Sequence, residues 1–263
     1  MNLKKYRAKK FSGSTSNDVE DTISVEVPLS ISINNIPFTV TMQTPGAEKQ
    51  LVHGLLFTEG VCNESNLQID FRGRDSQNNV ESLNVKISQE KLLRDFVGMR
   101  NVISTSSCGI CGIASLEPNS KDKIKNDKIL NPLLVEAMFK KVQEHQEHFQ
   151  KSGGTHASAV FNDAGELMFV HEDIGRHNAV DKAIGELLIS EKLKEANCIT
   201  VSGRISFEIV KKVHKAGIPF LAAVSAPSSL AIDAANEFGI TLMAFCRGEG
   251  FTVYTNLNKV ATN

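Results

Sequence analysis

Cys108 and Cys111 stand three positions apart in STSSCGICGI (104–113), among serines and glycines that favour turns. The other three cysteines, Cys62, Cys198 and Cys246, are dispersed, and an odd total of five argues against a disulfide framework. Three chemistries are open to the pair. A structural zinc site needs four ligands, and with a single CxxC the rest would have to be histidines such as His156, His171 or His177. A thioredoxin-like redox pair would close a strand of a βαβ unit, whereas Asn101–Ser104 reads as a weak strand. A nucleophilic thiol on a loop needs exposure, freedom to swing between two partners, and positive charge or helix dipoles to favour the thiolate at one of them. Zinc nucleoside deaminase chemistry is disfavoured. It uses H-x-E ahead of P-C-x-x-C, but here His156 is followed by Ala157-Ser158, His171 directly by Glu172, and both follow the cysteines.

Two further groups of residues suit anion binding. Three apolar runs end in Ser202-Gly203-Arg204, Ser225-Ala226-Pro227-Ser228-Ser229 and Cys246-Arg247-Gly248-Glu249-Gly250. Small residues permit close approach, hydroxyls donate hydrogen bonds, and Arg204 and Arg247 can fork onto phosphate oxygens. Glycine and serine are also what tight turns ordinarily use, so the two equivalent arginines carry more weight than any one loop. The second group is HEDIGRHNAVDK (171–182), in which His171, Glu172, Asp173, Arg176, His177, Asp181 and Lys182 crowd a strand-to-helix junction. Asp173 suits an N-cap, Arg176 or His177 a phosphate or carbonyl near the helix start, and Asp181 and Lys182 a solvated face. His156 in GGTHAS adds a candidate just ahead of a hairpin.

The elements that must position these residues follow from hydrophobic period. Residues 1–20 are polar and read as a loose arm. Ile23, Val25, Val27, Leu29, Ile31 and Ile33 alternate, Asn34-Asn35 intervenes, and Ile36, Phe38, Val40 and Met42 resume, which predicts a β-hairpin. Ala47, Leu51, Val52, Leu55 and Leu56 predict a short helix stopped at Gly60, with weaker strands near 67–71 and 82–88. Residues 117–131 read as a solvated connector, and Asn131-Pro132 opens a helix bearing Leu134, Val135, Met138, Phe139 and Val142. A hairpin (ASAVF, NDAG, ELMFV) follows, then a helix with Val180, Ile184, Leu187 and Leu188. The strand-like runs CITVS, PFLAAVS and TLMAFC then alternate with helical segments. Continuous apolar strands between helices predict a parallel sheet covered on both faces, whose ligands belong beyond the carboxyl ends of its strands.

The 263 residues are 41% hydrophobic, enough for a substantial core. Lys+Arg 29 against Asp+Glu 30 leaves no overall basic field for nucleic acid or anionic membranes, so any anion site must be local. With no apolar run of signal-peptide or membrane-spanning kind, a soluble cytoplasmic protein is expected, with no nucleic-acid and no membrane partner.

Together, CGICG, GGTHAS, HEDIGRHNAVDK, SGRISFEIV, AVSAPSSLAI and FCRGEGFTVYT resemble the formate dehydrogenase accessory sulfurtransferase family, FdhD, over about residues 21–256. The upstream run VPLSISINNIPFTVTMQTPGAEKQLVHGLLFTEG is similar to that family's amino-terminal part. The resemblance implies a sulfur carrier that takes persulfide sulfur from a cysteine desulfurase on Cys108. The sulfur passes to the bis-guanine-dinucleotide molybdenum cofactor (bis-molybdopterin guanine dinucleotide) that formate dehydrogenase requires. Cys111 is then either the resolving thiol or a tuning neighbour. The segment Phe245, Cys246, Arg247, Gly248, Glu249, Gly250 matches the family's cofactor-binding stretch, and Ser202, Arg204, Ser225, His156, Arg176 and His177 are the further candidates for its phosphates. The cofactor is a bound substrate, and no tightly bound metal of the protein's own is expected. The implied fold is a cytidine-deaminase-like α/β domain over 131–263, preceded by a smaller antiparallel β-rich subdomain over 21–130 and the arm over 1–20. Exposed apolar strands in the first half would suit a homodimer. A cofactor-binding chaperone and a zinc-binding deaminase-like hydrolase are the competing readings.

Overall fold

The computed structural model describes residues 2–96 and 123–261. Its first element departs from the expected loose arm. Strands β1 (Leu3–Ser12) and β2 (Thr15–Ser24) pair antiparallel as a two-stranded ribbon, with Leu3 opposite Ser24 and Ser12 opposite Thr15. Nearly every side chain on it is exposed, so neither face carries the apolar alternation by which a strand is read from sequence. Ion pairs cross it, Lys5 to Glu20 at 3.0 Å and Lys9 to Asp18 at 3.9 Å, and its root is held where Ser24 Oγ meets Ser152 Oγ at 2.6 Å. The single strand expected from Ile23 to Ile33 is therefore two, broken at Val25-Glu26.

Strands β3 (Val27–Ile33) and β4 (Ile36–Gln43) form the predicted hairpin, with Asn34 and Asn35 both at positive φ (50° and 67°), as a type I′ turn demands. Helix α1 (Glu48–Thr58) carries the chain across to β5 (Gln68–Arg74) and β6 (Val80–Lys86), giving the sheet order β4-β3-β6-β5. The central β3–β6 pair is parallel, Ser30 opposite Ser82, so this sheet is mixed rather than antiparallel throughout. The crossover through α1 is what permits it. Leu29, Ile31 and Ile33 pack on Leu51, Val52, Leu55 and Leu56 in one buried cluster, each such side chain contributing roughly 1.5–3 kcal/mol.

Helix α2 (Pro132–His145) begins where Asn131 Oδ1 accepts from Leu133 N at 3.0 Å, followed by α3 (Glu147–Ser152), β7 (His156–Phe161), β8 (Leu167–Asp173) and α4 (Arg176–Ile189). Then β9 (Cys198–Val201), α5 (Phe207–Lys215), β10 (Phe220–Ala223), α6 (Ser229–Phe238), β11 (Thr241–Arg247) and β12 (Gly250–Val253) complete a six-stranded sheet. Its order is β12-β11-β10-β9-β7-β8. The three apolar runs are parallel neighbours as expected, while β7, β8 and β12 are antiparallel additions. Helices α4, α5 and α6 cover one face and α2 the other, each over its own apolar cluster.

The two larger sheets are joined through α1 and α4, which cross at Gly54 and Gly185. A Cβ on Gly54 would lie 1.8 Å from the Asp181 carbonyl oxygen, and one on Gly185 would lie 1.9 Å from that of Gln50. Backbone-to-backbone contact at this crossing buries Asp181 and Lys182, which correct the expectation of a solvated face. Lys182 Nζ lies 2.6 Å from Asp173 Oδ2 and donates to Thr44 O at 2.7 Å. Asp181 pairs with Lys212 at 2.8 Å and accepts from Thr58 Oγ1 at 2.8 Å. Burial pushes the Asp181 carboxyl upward against the pull of Lys212.

Candidate functional site

Because β9, β10 and β11 run parallel in register, their carboxyl ends open on one edge, and backbone hydrogen bonds lace the loops there together. Ile205 N donates to Ala226 O (3.1 Å), Ser228 N to Ile205 O (3.0 Å), and Phe245 N to Ser225 O (3.4 Å). Ser202, Arg204, Ser225, Phe245 and Arg247 are thus brought to a common rim. Arg204 is exposed, and Arg247 is anchored by donating from Nε to Val224 O at 3.1 Å, across the end of β10.

Strand β7 is antiparallel to β9, so its first residue, His156, joins the same rim. Ser202 Oγ accepts from Ala157 N at 2.9 Å and lies 3.2 Å from His156 Nδ1. Burial, and then the Arg176 charge, hold the His156 ring below its ordinary value of 6.5, so a neutral imidazole faces the hydroxyl at physiological pH. Arg176, the first residue of α4, lies against Gly203, where an added Cβ would come 3.2 Å from Arg176 Cδ and 3.4 Å from His156 Cε1. His156, Ser202, Gly203 and Arg176 are one cluster. His177 turns instead to the start of α5, with Nε2 3.2 Å from Ser206 Oγ and 3.3 Å from Glu208 Oε2.

Most of the other charges in 171–182 hold the frame. Glu172 accepts from His148 N (2.9 Å) and Phe149 N (2.8 Å), closing the start of α3, while His171 meets Glu186 at 3.2 Å. Asp173 accepts from Gly175 N at 2.7 Å and Thr44 N at 3.1 Å, an Asx-type turn ahead of α4 rather than the cap itself, which is Gly175. Thr44, Ser206 and Glu208 escaped the sequence reading. They fall inside runs that carry the family resemblance, but no local spacing singles them out, because their partners here lie 29 to 138 positions away.

Within 245–250 the residues divide between two surroundings. A bulge between Ala244 and Arg247 places Phe245 at φ 56°, a conformation rare for an aromatic residue. That extra residue resets the alternation: Met243 and Cys246 both enter the cluster beneath α2, and Phe245 is left 43% exposed on the outside. Cys246, Gly248, Glu249 and Gly250 line a groove of about 350 Å³ against α2, opposite Glu136 and Phe139. The side chain of Cys246 is buried.

Cys62, Cys198 and Cys246 are all buried. Burial raises all three thiols, pushing Cys246 up to about 12 and Cys198 higher still with the help of Cys246. Cys108 and Cys111 lie outside the described residues. Among the described residues no three His, Cys, Asp or Glu side chains gather around a metal position, and no helix is long and apolar enough to cross a membrane.

With this arrangement in hand, comparison with known proteins is specific. A profile of the FdhD/NarQ family matches residues 24–261. The chain belongs to the FdhD/NarQ family. Curated FdhD/NarQ relatives include the sulfur carrier protein FdhD of Saccharolobus solfataricus, 41% identical over 244 residues covering 91% of each chain. That of Streptomyces avermitilis is 42% identical over 252 residues, covering 92% of this chain and 89% of the relative. That of Sulfurisphaera tokodaii is 37% identical over 99% of this chain and all of its own. The fold matches a crystal structure from Desulfotalea psychrophila of a protein provisionally assigned as a formate dehydrogenase accessory protein, with TM-score 0.76, 19% identity, and coverage of 99% and 100% of the two chains. The family match begins at the last residue of β2, so the ribbon stands outside it.

Proposed function

We propose that this chain is a sulfur carrier serving formate dehydrogenase, in which Cys108 accepts sulfur from a cysteine desulfurase and delivers it to the bis-guanine-dinucleotide molybdenum cofactor. The observation that carries the reading is the state of the other thiols. Of five cysteines, Cys62, Cys198 and Cys246 are buried with raised thiol pKa values, which unsuits them to act as thiolate nucleophiles. That leaves the 108–111 pair, and relatives about 40% identical bear the name sulfur carrier protein.

In the acceptance step the Cys108 thiolate attacks the outer sulfur of the desulfurase persulfide. A new S–S bond forms on Cys108, the donor's S–S bond breaks, and the donor cysteine leaves as its thiolate with no net redox change. For release, Cys111 attacks the inner sulfur of the Cys108 persulfide. The outer sulfur departs at the sulfide level for the metal, and the disulfide left between Cys108 and Cys111 takes up the two electrons' worth of oxidation until a cellular dithiol reduces it. The substrate's phosphates lie at the strand-end rim, where Arg204, Arg247, Arg176 and the serines offer charge-assisted donors. In this reading residues 21–130 bear the sulfur-carrying loop and 131–263, with the deaminase-like arrangement the resemblance implies, hold the cofactor. The protein works in the cytoplasm with the desulfurase and formate dehydrogenase as partners, and as a homodimer.

Mass spectrometry after incubation with desulfurase and cysteine tests the reading. A gain of one sulfur is expected on the peptide containing Cys108, absent in Cys108→Ala. Formate dehydrogenase produced beside that variant should be inactive. Full activity there, with the variant folded, would overturn the assignment.

A further inference from the structure

We infer that the outer edge of β1 is a docking strand for an acidic, extended segment of the enzyme that receives the cofactor, a segment that adds to the ribbon as its third strand. The inference rests on the proposed delivery to formate dehydrogenase, and it concerns an element that the family match leaves out. Strands β1 and β2 form a sheet of two strands only, with nearly every side chain exposed. A two-stranded ribbon without a buried face is marginal by itself, and a third strand supplies the missing hydrogen bonds and cover. Ser12 lies opposite Thr15 across a two-residue turn. Such a flanking pair exchanges both of its hydrogen bonds, and the pairs alternate from there along the ribbon. Lys5, Arg7 and Lys9 therefore turn their N–H and C=O groups away from β2, to a side where no strand among the described residues meets them. An open edge of this kind is a template for strand addition.

The charges specify the added strand. β1 carries Lys4, Lys5, Arg7, Lys9 and Lys10 and no acid, whereas β2 carries Asp18, Glu20 and Asp21 and no base. Lys5 is engaged by Glu20 and Lys9 by Asp18, while Lys4, Arg7 and Lys10 have no carboxylate partner among the described residues. A second copy pairing through the same edge would set cation against cation, and the β2 edge of a second copy offers only Asp21 beyond its internal pairs. An acidic strand from another protein meets no such repulsion. A phosphate chain is a poorer match, because the outward C=O groups accept from peptide N–H and repel anions. By the register, Lys4, Tyr6, Ala8 and Lys10 share one face and Lys5, Arg7 and Lys9 the other. The segment that fits has an acid beside Arg7 on one face. On the other, two acids flank an apolar residue that covers Tyr6, which is 48% exposed.

Position favours the recipient enzyme over the sulfur donor. The root of the ribbon is held where Ser24 Oγ meets Ser152 Oγ at 2.6 Å and Val25 N donates to Asn2 O at 2.9 Å. Gly154 lies against Ser24, an added Cβ coming 3.4 Å from its Oγ, and His156 of the rim is two residues further on. The ribbon thus leaves the body beside the place proposed for the cofactor, the side an accepting enzyme must approach. From that root β1 offers about 30 Å of edge.

Binding of the full chain to cofactor-free formate dehydrogenase, followed by biolayer interferometry at low and raised ionic strength, tests this. Wild type should bind more weakly as salt rises, and Lys4→Glu/Arg7→Glu/Lys10→Glu should lose about tenfold or more in affinity at low salt. Arg7→Pro, which also removes an outward N–H at an edge position that tolerates proline, should lose more than Arg7→Ala. Hydrogen exchange in the complex should slow in residues 3–12 and not in 15–24. The substituted side chains are exposed, so thermal melting of the body and sulfur loading of Cys108 by the desulfurase should be preserved. Equal affinity of wild type and the triple variant, or exchange slowed in β2 alone, would overturn the docking edge and leave the sulfur-carrier reading standing. So would tighter binding of a DNA duplex than of the dehydrogenase, or a change of oligomeric state in the triple variant. Failure of wild-type Cys108 to gain sulfur would instead remove the carrier reading from which the partner is drawn.

Discussion

Asp173 and Lys182 meet at 2.6 Å with neither side chain exposed, and together they tie the end of β8, the first turns of α4 and the Thr44 turn into one joint. Lys182→Met keeps the aliphatic stem but leaves the buried carboxylate without its cation. Removing one partner of a buried pair destabilises by about 3–5 kcal/mol. A correspondingly lower urea midpoint is expected, and because Arg176 opens the same helix, the proposed nucleotide binding should weaken as well. An unchanged midpoint would show that the pair does not hold the joint.

Gly54→Ala offers a helix about 1 kcal/mol of propensity, but the new methyl would sit 1.8 Å from the Asp181 carbonyl oxygen. Helices α1 and α4 must separate to admit it, and overpacking of this kind costs roughly 1–3 kcal/mol or more. The clash outweighs the propensity. Gly54→Ala and Gly185→Ala should each lower the denaturation midpoint, and the double variant should fall short of additivity because both force apart the same crossing.

Phe245 is held at φ 56° by the bulge in β11. A left-handed conformation costs a residue with a Cβ roughly 1–2 kcal/mol, and glycine's extra freedom in the unfolded chain costs roughly 0.5–1 kcal/mol. Phe245→Gly should therefore leave stability within about 1 kcal/mol of wild type despite removing an aromatic ring. Phe245→Val, β-branched, should be less stable than either. Chemical denaturation of the three proteins gives the order.

Burial lowers the pKa of His53, His156 and His171 from the ordinary 6.5, outweighing the raising effects of Glu186 and Asp173. Above about pH 6.5 these rings are neutral in folded and unfolded chains alike, and their contribution to stability is fully present. Below it the unfolded chain takes up protons first, so stability falls as pH drops toward the depressed folded values. Denaturation midpoints should decline between about pH 7 and pH 5. His53→Gln, which removes one of the three rings, should flatten that decline.

The burial that raises the thiols of Cys62, Cys198 and Cys246 also bars alkylating reagents. Iodoacetamide at about pH 8 should leave these three unmodified in the native chain and label them after unfolding, as peptide mapping would show. Native labelling of Cys246 at the rate of a free thiol would contradict its place beneath α2.

Several elements were legible before folding because a local rule sufficed. Asn34-Asn35 between two alternating runs can only be a tight reversal, and Asn131-Pro132 ahead of an apolar stripe can only start a helix. The same rules failed where burial is decided by a distant element. Asp181 and Lys182 are charged residues on a helix, and nothing local shows that Gly54 lets α1 close over them. The ribbon of residues 3–24 escaped for the opposite reason: with both faces exposed, it has no alternation to detect.

The candidate site divides along the same line. The sequence alone determined the CxxC pair, the family it marks, the three parallel strands and the arginines at their ends, because each depends on residue types at short spacing. Only the tertiary structure decided that His156 and Arg176 share a cluster with Ser202, that Phe245 and Cys246 face opposite ways, and that Glu136 stands across from Glu249. These relations depend on sheet order, one bulge and the packing of α2. Such features emerge when apolar faces are buried against one another over long separations, and no short stretch of chain encodes them.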